Sequence, residues 1–189
     1  MEMLGHRRLG VTPEQAWEAL NDPATLQKCI PGCDRFESTG ENEYTVALAL
    51  KIGPVSAKFT GKVTLADIDP PHGYRLGFEG QGGVAGFAKG ASSVTLKPAE
   101  DDASACELDY TVQAQVGGKI AQMGQRLIDG AAKSTADDFF KRFDAEMQRR
   151  HGPPVADESE VVSDASSAKP GAVAGFMQKI GLGKKGDTV

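Results

Sequence analysis

The 189 residues include 40% hydrophobic side chains and a formal charge of −5, which suits one ordinary core and is the wrong sign for a nucleic-acid surface. No run approaches the roughly 18 apolar residues that cross a bilayer as a helix, and Glu2, His6, Arg7 and Arg8 interrupt the only stretch resembling a secretory leader. Three cysteines are an odd number in a chain of ordinary composition, so no disulfide framework is expected and a reducing, cytoplasmic location is the default.

A first strand is expected near residues 3–9. Thr12-Pro13-Glu14 then reads as a helix start: a hydroxyl cap, proline at the first position, and an acid at the positive end of the dipole. Ala16, Trp17 and Leu20 follow at helical spacing, which makes Trp17 a core residue before it is a ligand contact. Asp22-Pro23 opens a second short helix, and Ile30-Pro31-Gly32 stops it.

From residue 35 to 116 the period is two. Tyr44, Val46, Leu48 and Leu50 alternate with polar or small neighbours, as do Phe59, Val63 and Leu65 after the Gly53-Pro54 turn. Tyr74, Leu76 and Phe78 continue the pattern, and Cys106, Leu108, Tyr110, Val112 and Ala114 repeat it. Such alternation predicts half-buried antiparallel strands joined as a meander. The period then returns to 3.6: Ile120, Met123, Leu127, Ala131, Thr135, Phe139, Phe143 and Met147 mark one face of a helix ending near residue 150. About 30 residues at 1.5 Å each make that helix roughly 45 Å long. The order predicts an α+β fold in which a curved antiparallel sheet of six or seven strands wraps around the long C-terminal helix, with two short helices after the first strand.

Glycine is dense between Gly77 and Gly90, at 77, 80, 82, 83, 86 and 90. Glycine inside strands permits sharp bending and leaves unfilled space. Small residues facing large rings predict an apolar hollow, lined by Tyr44, Leu48, Phe59, Phe78, Phe87 and Tyr110 from the strands and by Met123, Gly124, Leu127 and Ala131 from the helix. A fully packed core that uses glycine only for bending fits the same pattern.

No catalytic or metal-binding residue is expected. Cys29 and Cys33 lack Cys-x-x-Cys spacing, Cys106 falls in the apolar phase, and His6, His72 and His151 lie far apart. The glycines near Gly80 precede no helix, so they make a poor nucleotide fingerprint. Among inward-phase residues only Tyr44 and Tyr110 offer a polar group for acid–base work.

The segment Pro13, Trp17, Leu20, Asp22-Pro23, Leu26 and Cys29-Ile30-Pro31-Gly32-Cys33 resembles the CoxG family of carbon monoxide dehydrogenase subunits, as does the later stretch from Gly117 to Ile128. The resemblance spans about residues 1–147 and implies a helix-grip fold of the START-like superfamily. It also implies a non-catalytic protein that binds a respiratory quinone (menaquinone or ubiquinone) or a lipid without a covalent bond. Such a protein tethers a molybdenum hydroxylase, such as carbon monoxide dehydrogenase, to the inner face of the cytoplasmic membrane and passes electrons to the quinone pool. A cyclase-like enzyme and a docking module without a small-molecule ligand are the competing expectations.

Beyond the domain expected at 1–150, residues 151–169 are rich in proline, serine and acids (Asp157, Glu158, Glu160, Asp164) and read as a solvated linker. Over 170–189, Val173, Phe176, Met177 and Ile180 fall on one helical stripe, with Lys179, Lys184 and Lys185 at and beyond its end. A short helix on an anionic membrane surface is expected there. A docking peptide and a structureless tail are the alternatives, since glycines at 171, 175, 181 and 183 weaken an isolated helix.

Overall fold

A computed structural model describes residues 1–152, so the tail over 170–189 and all but the first two residues of the expected linker lie outside the described residues. The chain order is β1 (Glu2–Leu9), α1 (Pro13–Leu20), α2 (Pro23–Cys29), β2 (Cys33–Gly40), β3 (Glu43–Ile52), β4 (Val55–Asp69), β5 (Gly73–Gln81), β6 (Phe87–Pro98), β7 (Cys106–Gly117) and α3 (Gln125–His151). The strands form one seven-stranded antiparallel sheet in the order β1-β7-β6-β5-β4-β3-β2. Strands β2 to β7 are a meander, and β1 returns to pair with β7, so α1 and α2 carry the chain from one sheet edge to the other.

Both short helices start as expected. Thr12 caps α1 in a reciprocal box with Gln15, and Asp22 caps α2 by accepting from the Ala24 and Thr25 amides. The start of α2 and the end of α3 are also tied together: the Arg150 guanidinium donates to Thr25 at 2.5 Å, and Glu146, which accepts from Arg150 within α3 at 2.9 Å, lies 3.9 Å from Lys28 of α2. The main core lies at this end of the molecule. Phe143 and Met147 of α3 are sealed against Leu9, Val11, Ala16, Cys29, Leu96, Cys106 and Leu108. Each such large side chain contributes about 1.5–3 kcal/mol by leaving water.

The sheet's inner face can be read row by row. One row runs Val46, Gly61, Gly80, Ala88, Val116 across five strands, so its middle carries nothing larger than a methyl group. The next runs Tyr44, Val63, Phe78, Gly90, Ala114. At Gly61 and Gly90 the neighbouring strand comes so close that an added Cβ would lie 2.0 Å from the carbonyl oxygens of Glu79 and Gln113 respectively. Only glycine lets the strands approach like this, and the sheet curls there.

Two expectations need correction. The long helix does not begin at Ile120. Residues Ala121–Met123 form a 3-10 turn, and Gly124, at φ +89°, breaks it before α3 starts at Gln125. The break resets the helical phase, so Ile128 is buried while Leu127 is 46% exposed. Phe87 belongs to the outer face: Gly86, at φ +116°, turns the chain just before β6, and the Phe87 ring lies over Gly117 of β7.

Candidate functional site

Between the sheet and the first half of α3 lies an apolar cavity of about 470 Å³. Its floor is the row of small residues containing Gly61, Gly80 and Ala88, and its roof is the small-sided face of α3, with Ala131, Ala132, Thr135 and Ala136. Ile52, Phe59, Ala85 and Ile120 pack together as a separate cluster at this end of the sheet. A second chamber, about 260 Å³, lies toward the main core under Phe139 and Phe140. Ile30, Phe36, Val63, Leu76 and Phe139 line both chambers, so the two share walls.

The smaller chamber differs in chemistry. Tyr44, Tyr74, Ser92 and Tyr110 place hydroxyl-bearing side chains among its otherwise aliphatic and aromatic lining. No Lys, Arg, His, Asp or Glu lines it. Tyr74 is only 7% exposed, packed edge-on against Trp17 with ring centroids 5.6 Å apart. Burial pushes its phenol far above the ordinary range, and neighbouring Tyr44 adds to the rise. It is therefore a neutral hydroxyl at any physiological pH. Tyr110 stacks on Phe140 at 5.4 Å and leans over Gly5, where an added Cβ would strike its ring. Charged residues touch only the larger chamber. Lys62 and Glu79 do so where Gly61 faces Gly80, and Lys51 does so from β3.

The sequence-derived candidates divide. Leu48, Phe59, Phe78 and Ala131 line the larger chamber, and Tyr44 and Tyr110 the smaller. Phe87, Met123, Gly124 and Leu127 line neither. Phe87 faces outward, and Met123 and Leu127 lean toward the β3–β4 turn, where a Cβ on Gly53 would meet their side chains at 3.3 and 3.7 Å. Gly124 shapes the start of α3, with nothing within 4 Å of where its Cβ would be. The lining residues missed include Tyr74, Ser92, Ile128 and Phe139, together with Ile30 and Pro31. The last two sit within the Cys-Ile-Pro-Gly-Cys segment, the most distinctive motif in the sequence, which was a usable signal. Tyr74 also stood in the alternating pattern.

Nothing nucleophilic or metal-binding gathers here. Among the described residues no group of three or more His, Cys, Asp or Glu is placed to hold a metal ion. The three cysteines are free thiols, and burial pushes all of them up, Cys106 to about 11, so none is a ready thiolate. Arg7, in the inward phase of β1, pairs with Asp137 and stacks on Phe140 at 5.3 Å, but it lines neither chamber. Among the described residues no helix is long and apolar enough to cross a membrane.

The family model for the carbon monoxide dehydrogenase subunit CoxG matches residues 5–148. Among solved structures, a conserved protein from Geobacillus kaustophilus is 38% identical with a TM-score of 0.74, over 79% of this chain and 96% of its own. A START superfamily protein from Mycobacterium smegmatis, 10% identical, has a TM-score of 0.62 over 79% of this chain and 98% of its own. An aromatase/cyclase from Streptomyces, 12% identical, has a TM-score of 0.60 over 79% and 94%. These last two share the fold. No curated protein sequence matches the chain.

Proposed function

Because the chain belongs to the CoxG family of carbon monoxide dehydrogenase subunits, we propose that it is a non-catalytic carrier of a hydrophobic small molecule that recruits a molybdenum hydroxylase, such as carbon monoxide dehydrogenase, to the cytoplasmic membrane. The ligand in this reading is a respiratory quinone, menaquinone or ubiquinone, held without a covalent bond, through which the partner enzyme reaches the quinone pool. The observation that carries the reading is the pair of adjoining apolar chambers beneath α3. The larger, at about 470 Å³, falls within the roughly 300–1,000 Å³ usual for small-molecule sites. A cyclase-like role has less support, because acid–base chemistry needs a titrating group at the ligand. No Lys, Arg, His, Asp or Glu lines the smaller chamber, and the charged residues at the larger one, Lys51, Lys62 and Glu79, are exposed and stand in the outward phase of their strands.

Attachment to the inner face of the membrane is assigned to the tail. Val173, Phe176, Met177 and Ile180 supply the apolar stripe, and Lys179, Lys184 and Lys185 supply on the order of 1 kcal/mol each near anionic lipid. That amounts to reversible rather than permanent attachment.

The test is native mass spectrometry with organic extraction on the full chain, purified from a quinone-containing host. The expected result is an isoprenoid quinone at close to one per chain. A clean apo mass, together with no saturable uptake of added menaquinone or ubiquinone, refutes the carrier reading.

A further inference from the structure

The two chambers are chemically unequal, and a ligand with a polar head and an apolar tail would have a preferred direction between them. Tyr74 is more than nine-tenths buried, and it lines the smaller chamber together with Tyr44 and Tyr110. Ser92 lines the same chamber, which gathers four hydroxyl-bearing side chains with no charged residue among them. In an otherwise apolar site, a few such polar groups are what orient a ligand's own polar end. From this juxtaposition of hydroxyl-bearing side chains in a chamber lined by no charged residue, we infer that the smaller chamber is the seat of an uncharged, oxygen-bearing head group, with the hydrocarbon tail in the larger chamber.

The inference rests on the carrier reading and narrows it to a ligand class. A phenol or an alcohol both donates and accepts a hydrogen bond. The same side chains therefore suit a ring carbonyl, which only accepts, and the corresponding ring hydroxyl, which also donates. Either oxidation state of a quinone fits without a change of charge in the protein. An anionic head does not fit. With no Lys, Arg or His in the lining, a carboxylate or phosphate would be buried without compensation; Arg7 lies outside that lining, over the Phe140 ring, pairing one guanidinium nitrogen with Asp137 and leaving its Nε unpartnered. An anionic lipid would have to place its head in the larger chamber, near Lys51 or Lys62.

Three probes separate the possibilities on the delipidated full-length chain: a short-chain quinone, an isoprenoid hydrocarbon of similar length without oxygens, and palmitate. Binding is read by calorimetry and by the fluorescence of Trp17, the one tryptophan, which touches Tyr74. The wild type is expected to bind the quinone most tightly. Tyr74→Phe, which keeps the ring, should weaken quinone binding about tenfold and leave the hydrocarbon unchanged, because only the quinone loses a hydrogen bond. Tyr44→Phe and Ser92→Ala should act in the same direction with smaller effects. Equal binding of the quinone by wild type and Tyr74→Phe, or palmitate binding tighter than quinone, overturns the head-group assignment while leaving a carrier. Failure of all three probes to bind overturns the carrier reading itself, and this inference with it.

Discussion

Replacing Gly80 with leucine should stabilise the fold while abolishing its capacity for ligand. Gly80 lies between Gly61 and Ala88 in the row of small residues beneath the larger chamber. A Cβ added there meets nothing closer than the Thr60 carbonyl oxygen at 3.9 Å and that of Ala88 at 4.0 Å, so the side chain enters the hollow without a clash. Burying a leucine contributes about 1.5–3 kcal/mol. With one flank of the site open to solvent the lower end applies, about 1.5 kcal/mol, or about 3–6 °C in Tm for a domain of this size. Gly61→Ala is the control of opposite sign. Its Cβ would sit 2.0 Å from the Glu79 carbonyl oxygen, and overpacking against backbone costs about 1–3 kcal/mol. Both variants should be melted after delipidation, because bound ligand raises the wild-type Tm by mass action. Quinone titration follows, with binding by Gly80→Leu expected to fall at least tenfold. A Gly80→Leu Tm that drops as far as that of Gly61→Ala would mean that side chains already fill the hollow. Full binding by Gly80→Leu would mean that ligand does not sit there.

From the helix side, Ala131→Phe should expel ligand from the larger chamber. Gly124→Ala should leave affinity unchanged and lower stability by about 1 kcal/mol, since Gly124 lines nothing and holds φ +89°; ligand titration and melting of both variants check this. Glu146 links acid stability to the contact between α2 and α3. Hydrogen bonds from Arg149 and then Arg150 hold its carboxyl at about 2, against an ordinary value of 4.5. A carboxylate with a depressed native value stabilises above its unfolded value and loses that contribution as pH falls through the native one. Wild type should therefore lose Tm between about pH 4.5 and 2, and Glu146→Gln should start lower and run flatter over that window in a melting series.

The strands were legible because their inner and outer faces differ in polarity. From β3 to β5 and in β7 every inward aromatic or branched residue stands in the phase that alternation predicts, from Tyr44 to Val112. Strand β6 was hidden for the same physical reason that the cavity exists. Its inward residues begin with Ala88, Gly90 and Ser92, small enough to leave space and too small or too polar to register as a hydrophobic face. A ring at its start, Phe87, looked like an inward residue because alternation carries no information across Gly86, where the backbone takes φ +116° and the phase is lost.

The helix failed in a related way, with direct consequences for the site. Reading 3.6-residue periodicity from Ile120 through Met147 assumes one unbroken cylinder, and a single residue in the left-handed region removes that assumption. Upstream of Gly124, Ile120 packs with Phe59 and Ala85 beneath the loops, while downstream the buried stripe restarts at Ile128. Four residues later the stripe offers Ala132 rather than a large side chain, and Ala131, Thr135 and Ala136 continue it with equally small groups until Phe139. Hydrophobicity weights such residues lightly, so the pattern favoured Leu127 and, apart from Ala131, missed the surface that roofs the larger chamber. Large residues announce a packed interface, but a cavity is marked by a run of small ones on both facing elements. Gly61, Gly80 and Ala88 lie opposite Ala131, Ala132, Thr135 and Ala136, and only the three-dimensional register brings the two runs together.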